Sequence, residues 1–128
     1  MNGYIANIER ETIENTDYRR VVYTAHKSQL VVMSLQPGDE IGEEVHELDQ
    51  FIRIEAGEGE IVLGEAKHRA EDGTAVLVPA GVKHNVINTG DVALKLYSLY
   101  SPPEHRDGLV QKTKVDERED HFDGKTTE

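Results

Sequence analysis

The chain has 128 residues, a formal net charge of −11 and no cysteine. This length suits one domain that can bury a core of its own, and the lack of cysteine excludes disulfides and thiolate metal sites. A negative charge of this size argues against nucleic acids and anionic membrane surfaces as partners.

Short strands separated by turns account for most of the chain. Residues 1–19 form a polar lead-in, and a predicted hairpin of residues 20–25 and 29–35 follows, ending at Pro37-Gly38. The later predicted strands are 50–55, 60–63, 67–70, 74–78, 84–88 and 92–100. Including the segment around residues 44–46, this makes about nine short strands with turn signals at intervals of roughly 8–12 residues, the pattern of an all-β sandwich or barrel.

Residues 104–128 form a charged extension beyond the strands. From residue 112 onward only Val115 and Phe122 are large and apolar, so we expect the extension to be mobile. His105 lies just after the last predicted strand, where the loop either folds over the mouth of a barrel or lies on the surface. His26, His68 and His121 occur in turns or in the tail, and we expect no site role for them.

No apolar run approaches the ~20 residues that a membrane helix requires. The first residues lead into charged sequence and not into the apolar segment of a secretory signal. We therefore expect a cytoplasmic protein whose partner is a small molecule.

One acidic stretch contains several candidate metal ligands. Glu44, His46 and Gln50 each offer a lone pair, and the first two are separated by one residue, so on a strand they share a face. Residues 36–60 contain nine acidic residues and one basic residue, a local charge of −8. This charge forms either an ordinary solvated surface or a lip that attracts cations to a metal site.

Two spaced motifs resemble those of the cupin superfamily. The first motif consists of Gly38, Glu44, His46, Gln50 and Gly57 at the family's spacing, although cupins have histidine at the second position and glutamate at the fourth. The second motif has the family's residue at every position: Gly73, Pro79, Gly81, His84 and Asn88. The resemblance implies an all-β, single-domain cupin, an antiparallel double-stranded β-helix or jelly-roll barrel over residues 20–103. It also implies a homodimer, for which residues 1–19 are candidate contacts.

The resemblance further implies one divalent metal ion held by four side chains: Glu44, His46, Gln50 and His84. The family's three histidines and one glutamate carry a charge of −1, and so does this set, because the carboxylate has moved and not vanished. An oxygen-rich set favours manganese or iron, while nickel, cobalt and zinc stay open.

Three functions remain open at this point. The chain is similar to the mannose-6-phosphate-isomerase-like group, which implies a small metalloenzyme acting on an oxygenated molecule by isomerisation, lyase chemistry or oxygenation. The alternatives are a non-catalytic, metal-dependent binding module for a sugar or small acid, and a barrel with no metal. Tyr100 and His105 are candidate acid–base residues, as are Lys95 and Tyr97, since the sequence does not say which face of the last strand points inward.

Overall fold

The protein is described by a computed structural model that covers residues 2–118 and 120–128. Eight of the predicted strands are present, with ends displaced by at most two residues, whereas the segment around residues 44–46 forms only an isolated bridge between Glu44 and His84. The elements are α1 (Ile8–Glu14), β1 (Arg19–Thr24), β2 (Gln29–Leu35), β3 (Asp49–Ala56), β4 (Gly59–Leu63), β5 (Ala66–Ala70), β6 (Ala75–Val78), β7 (His84–Asn88), β8 (Leu94–Ser101), β9 (Val110–Gln111) and a 3-10 turn at Lys114–Asp116.

The strands form two antiparallel sheets. The larger sheet has six strands in the order β6-β3-β8-β2-β1-β9, and the smaller has three in the order β5-β4-β7. The predicted hairpin of β1 and β2 is confirmed, and β8 lies between β2 and β3. The prediction of an all-β, antiparallel fold is therefore confirmed.

The core lies inside the barrel and follows the alternation of the strands. On β3, Ile52 and Ile54 are fully buried and share the inward face with Gln50. On β8 the inward residues are Leu94, Leu96, Ser98 and Tyr100. This settles the face that the sequence left open, because Lys95 and Tyr97 point away from the core.

Helix α1 packs on the outer face of the larger sheet, against β8, β3 and β2. The side chain of Asn7 caps it by accepting a hydrogen bond from the Arg10 amide at 3.0 Å. Thr12 is the buried residue of the helix, whereas Ile5, which precedes the helix, is fully exposed. The lead-in is thus partly helical and attached to the barrel, and its contact with a dimer partner stays a prediction.

Glycine is required at two motif positions, Gly57 and Gly73, for different structural reasons. Gly57 has a φ of +89°, and a Cβ there would lie 2.6 Å from the carbonyl oxygen of Ala93. Gly73 has a φ of +92°, but open space surrounds the position of its missing Cβ. Gly57 therefore allows both a left-handed backbone and a close approach of β8, while Gly73 allows only the turn.

The extension beyond residue 103 is packed against the barrel, although its charged sequence predicts a mobile segment. Strand β9 pairs with β1, and the Val21 amide donates to the Leu109 carbonyl at 2.9 Å. Leu109 and Gln111 are buried. Leu109 is thus the apolar anchor of this segment, whereas Val110 and Val115 are exposed, and polar groups make most of its attachments.

Glu117 is the centre of one such attachment. Its carboxylate accepts hydrogen bonds from the Tyr18 hydroxyl at 2.8 Å, from Arg19 at 3.1 Å and from Lys114 at 2.7 Å. Arg19 is itself buried and also donates to the side chain of Gln111 at 2.9 Å. The mobility of the extension and the domain boundary at residue 103 stay predictions.

Within residues 2–118 and 120–128, none of the helices has the length and apolar character needed to cross a membrane.

Candidate metal centre

The two motif stretches lie against each other through backbone hydrogen bonds. The Glu44 amide donates to the His84 carbonyl at 2.9 Å, and the His84 amide donates to the Glu44 carbonyl at 3.0 Å. The Gly81 amide donates to the His46 carbonyl at 2.7 Å. The turn at Pro79-Ala80-Gly81 makes this possible because Gly81 adopts a φ of +86°.

All four predicted ligands meet at one end of the barrel, in two pairs. The Nε2 atom of His46 lies 3.0 Å from Oε2 of Glu44, and the Nε2 atom of His84 lies 3.1 Å from Oε1 of Gln50. The two imidazole rings are 5.3 Å apart between their centroids. Gln50 and His84 are buried, and Glu44 and His46 are partly exposed at the mouth.

The contact between His84 and Gln50 brings two lone pairs together. Nδ1 of His84 lies 3.0 Å from the Val82 carbonyl oxygen, which can only accept, so Nδ1 carries the proton. In a neutral ring Nε2 then presents a lone pair. The amide nitrogen of Gln50 donates to Ser98 at 3.2 Å, which leaves its oxygen facing His84. In this orientation of the Gln50 amide both groups can offer a lone pair to a shared cation; with the amide turned over, its nitrogen would donate to His84 and its oxygen would accept from Ser98.

His46 and Glu44 form a histidine–carboxylate pair, in which the histidine can donate a proton to the carboxylate. The hydrogen bond to Glu44 raises the pKa of His46, burial lowers it, and the charges of Glu44 and Glu104 raise it further. Nδ1 of His46 faces Glu104, whose Oε1 is 3.7 Å away. His46 thus lies between two carboxylates, one at each ring nitrogen.

The donor chemistry fits a divalent ion. Two imidazoles, one carboxylate and one amide oxygen form a mixed nitrogen and oxygen set of the kind that manganese and iron accept. Counting only histidine, cysteine, aspartate and glutamate, the part of the chain that the structure describes contains no group of three arranged to hold a metal. Glu44, His46 and His84 are therefore arranged here as a pair and a separate ring, with His46 against Glu44 and His84 against Gln50.

A cavity of about 490 Å³ opens at this end of the barrel. Its lining comes from both the first motif and the extension, and includes Glu44, His46, Glu47, Glu104, His105 and His121. His121 was expected to have no site role, but it lies at the mouth with Nδ1 3.2 Å from Oε1 of Glu104. This position could not be predicted, because the pairing of residues 105 and 121 is an isolated bridge between two segments without strand character.

Of the four acid–base candidates, Tyr100 and His105 lie near the predicted metal ligands. The Tyr100 hydroxyl lies 3.4 Å from Nε2 of His105, and the Tyr100 ring meets His46 edge-on at 6.1 Å. Burial raises the pKa of Tyr100. Burial lowers the pKa of His105 to about 3, and the nearby positive charge of Arg19 adds to this.

Lys95 and Tyr97 lie outside the site. The Lys95 ammonium group donates to the Asn15 carbonyl under α1, and the Tyr97 ring packs near Phe51 at 6.3 Å. Of the remaining histidines, His68 is exposed on β5 and His26 lies 3.8 Å from Glu128. Tyr100 and His105 are thus the acid–base candidates that the fold brings to the predicted metal ligands.

Comparison with known proteins decides the family. Residues 31–100 match the family described as "Cupin domain". The chain belongs to the cupin family. It is 44% identical over 120 residues to the uncharacterized protein YrkC of Bacillus subtilis (strain 168), covering 88% of this chain and 64% of YrkC. This cupin therefore spans less than two thirds of the length of that relative.

Two further relatives agree with this assignment. The uncharacterized protein L612 of Acanthamoeba polyphaga mimivirus is 42% identical over 112 residues, covering 84% of this cupin and 70% of L612. The crystal structure of BH2720 from Bacillus halodurans is 43% identical with a TM-score of 0.88, covering 90% of this cupin and 92% of that chain. The prediction of a single cupin fold, a double-stranded β-helix, is confirmed. Glu104, His105 and His121 lie beyond the residues that match the family.

Proposed function

We propose that this cupin binds one divalent metal ion through Glu44, His46, Gln50 and His84, and that it is a small metalloenzyme acting on an oxygenated small molecule. The observation that carries the proposal is the convergence of the four side chains at one end of the barrel: His84 Nε2 lies 3.1 Å from Gln50 Oε1, His46 Nε2 lies 3.0 Å from Glu44 Oε2, and the two imidazole centroids are 5.3 Å apart. Manganese or iron suits the donor set best.

The bound ion would polarise an oxygen of the substrate as a Lewis acid. The protein's own contribution is a tyrosine–histidine pair on the same side of the barrel. The Tyr100 hydroxyl and the imidazole of His105 are in contact, and the low pKa of His105, caused by burial, keeps its ring neutral near pH 7. Burial raises the pKa of Tyr100 and lowers that of His105, so both groups hold their neutral forms, and the pair would act on a substrate by donating and accepting hydrogen bonds.

This arrangement favours proton-transfer chemistry, of the isomerase or lyase type, over oxygenation. A hydrogen-bonded tyrosine and imidazole beside the metal ligands can orient a carbonyl group and the hydroxyl next to it, which isomerase and lyase reactions require. The cavity volume of about 490 Å³ lies within the usual range of small-molecule sites, about 300–1,000 Å³. A hydroxy-carbonyl compound of sugar size would fit it.

The alternative, a non-catalytic metal-dependent binding module, predicts a cavity lined by aliphatic side chains. Ile52 and Ile54 are buried in the core and do not line the cavity. Carboxylates and imidazoles line it instead, together with Val45. The polar lining supports the enzyme.

Metal content is the first test. Protein purified without chelator should contain close to one divalent ion per chain by elemental analysis. His46→Ala and His84→Ala should each lose most of this metal and keep their circular dichroism spectrum. His68→Ala, in an exposed residue of β5, is the matched control. Equal metal content in all four proteins would place the metal elsewhere.

Proton transfer is the second test. Small aldoses and ketoses incubated with the metal-loaded protein in D₂O should incorporate deuterium next to the carbonyl group, as followed by proton NMR. Tyr100→Phe and His105→Asn should bind metal normally and lose most of this exchange. A protein that holds metal but exchanges none of these sugars would support the binding module instead.

A further inference from the structure

Glu104 connects the extension to the metal centre. Its Oε1 atom lies 3.7 Å from Nδ1 of His46 and 3.2 Å from Nδ1 of His121, so one carboxylate oxygen faces two imidazoles. The side chain is largely buried, with 15% of its surface exposed. Residue 104 lies outside the 31–100 segment that matches the family, so family membership assigns it no role.

The two histidines of the site have corresponding surroundings at their second ring nitrogen. Histidines that bind metals almost always donate their other ring N–H to a carboxylate or a backbone carbonyl, which fixes the tautomer and the ring orientation. For His84 that partner is the Val82 carbonyl, 3.0 Å from Nδ1. For His46 the group facing Nδ1 is the Glu104 carboxylate, at an ion-pair distance of 3.7 Å, which is longer than a hydrogen bond.

The backbone of Glu104 is held at both of its polar groups. Its amide donates to the side-chain oxygen of Gln29 at 3.2 Å, and its carbonyl accepts from the Phe122 amide at 2.9 Å. Gln29 is buried on β2 and also accepts from the His105 amide at 2.9 Å. The carboxylate is thus presented to His46 from a fixed backbone.

We propose that Glu104 is a positioning residue, which holds the His46 ring through Nδ1 so that Nε2 faces the metal. The proposal rests on the proposed metal site. Glu104 touches neither the ion nor the substrate and acts only through His46. The extension would then contribute to metal affinity, although it supplies no metal ligand.

The test compares Glu104 with Glu47, a carboxylate that lines the same cavity and has an exposed side chain. Glu104→Ala should weaken Mn²⁺ binding about tenfold, as measured by the electron paramagnetic resonance signal of free Mn²⁺. Glu104→Gln, which keeps the shape and a weaker acceptor, should fall between wild type and Glu104→Ala. Glu47→Ala and Glu47→Gln should change the affinity less than twofold.

The visible spectrum of bound Co²⁺ gives a second readout, because it reports the ligand geometry and not the charge of the mouth. It should change in Glu104→Ala and stay that of wild type in Glu47→Ala. Equal loss of affinity in the Glu104 and Glu47 variants, or no loss in either Glu104 variant, would overturn the role of Glu104 and leave the metal site standing. Wild-type protein that binds neither ion would overturn the metal site and this role together.

Discussion

The Nε2 atom of His84 and the Oε1 atom of Gln50 lie 3.1 Å apart, and the ring presents Nε2 to the amide because Nδ1 faces the Val82 carbonyl oxygen. The pair is buried, and its orientation is fixed from behind by the Val82 carbonyl and by Ser98. Most cupins have glutamate at the position of Gln50. In this chain the negative charge of the predicted ligand set belongs instead to Glu44, which pairs with His46.

Moving the carboxylate should change metal affinity in a predictable direction. Gln50→Glu adds a charge beside His84 and should tighten divalent metal binding about fivefold to tenfold, since hydrogen bonds and contacts to charged groups are stronger by about 1 kcal/mol. Glu44→Gln should weaken it by a similar factor. The double variant Glu44→Gln/Gln50→Glu restores the net charge and should bind with an affinity near that of wild type by isothermal titration calorimetry.

If Gln50→Glu leaves the affinity unchanged, Gln50 does not face the metal, and the interpretation of its contact with His84 is wrong.

Substitution of Gly57 and of Gly73 by alanine should reduce the free energy of unfolding by different amounts. Gly73→Ala places a side chain on a left-handed backbone in open space and should destabilise the protein by about 1–2 kcal/mol. Gly57→Ala adds a contact of 2.6 Å with the Ala93 carbonyl oxygen and should cost about 3 kcal/mol or more. Urea denaturation gives both free energies of unfolding. Equal free energies of unfolding for the two variants would mean that β8 can shift away from residue 57 and relieve the contact.

Acid should loosen the attachment of the extension through Glu117. Burial raises the pKa of Glu117, but hydrogen bonds from Lys114 and Tyr18 and the charge of Arg19 outweigh it and hold the pKa below its ordinary value of 4.5. A carboxyl whose pKa is lowered by folding stabilises the protein above its unfolded pKa. That contribution is therefore full above pH ~4.5 and is lost as the pH falls through the lower, folded value.

Urea denaturation between pH 7 and pH 3 checks this. Wild type should lose more stability over the acidic part of the range than Glu117→Gln does. Glu65→Gln controls for net charge, because the side chain of Glu65 is 96% exposed. Parallel curves for wild type and Glu117→Gln would show that the contacts of Glu117 contribute nothing to folding.

Hydrogen exchange tests the mobility of the extension. The amides of Tyr18 and Val21 donate to the carbonyls of Lys112 and Leu109, so an attached extension should protect both as strongly as the β1–β2 pairs. The exposed turn residue Lys27 provides the unprotected reference. Exchange of Tyr18 and Val21 at the rate of Lys27 would support the mobile extension that the sequence predicts.

The strands and the two motif stretches could be predicted because their signals are local. Alternation and turn residues define the strands, and the resemblance of the two spaced motifs to those of cupins implied that His46 and His84 would meet. The inward face of β8 could not be chosen, because both faces carry aromatic and polar residues. The neighbours of β8, with Ile52 and Ile54 buried on β3, decide it.

The role of the extension could not be predicted for a different reason. A charged segment with few apolar residues is typical of a mobile tail. Its attachments here are polar and long-range, from Gln29 to Glu104 and from Arg19 to Glu117. Such pairs leave no periodic pattern in the sequence, so neither Glu104 nor His121 could be recognised as part of the cavity.

The polar attachments of the extension have one consequence for how this chain can diversify. Gln29 and Arg19 belong to the barrel wall, while the cavity residues 104, 105 and 121 belong to a segment that leaves it. Glu104 and His121 lie outside the packed interior of the sheets, whereas His105 is buried against Tyr100 of β8. Under the proposed function, substitutions at 104 and 121 would therefore change the cavity lining while leaving the core as it is.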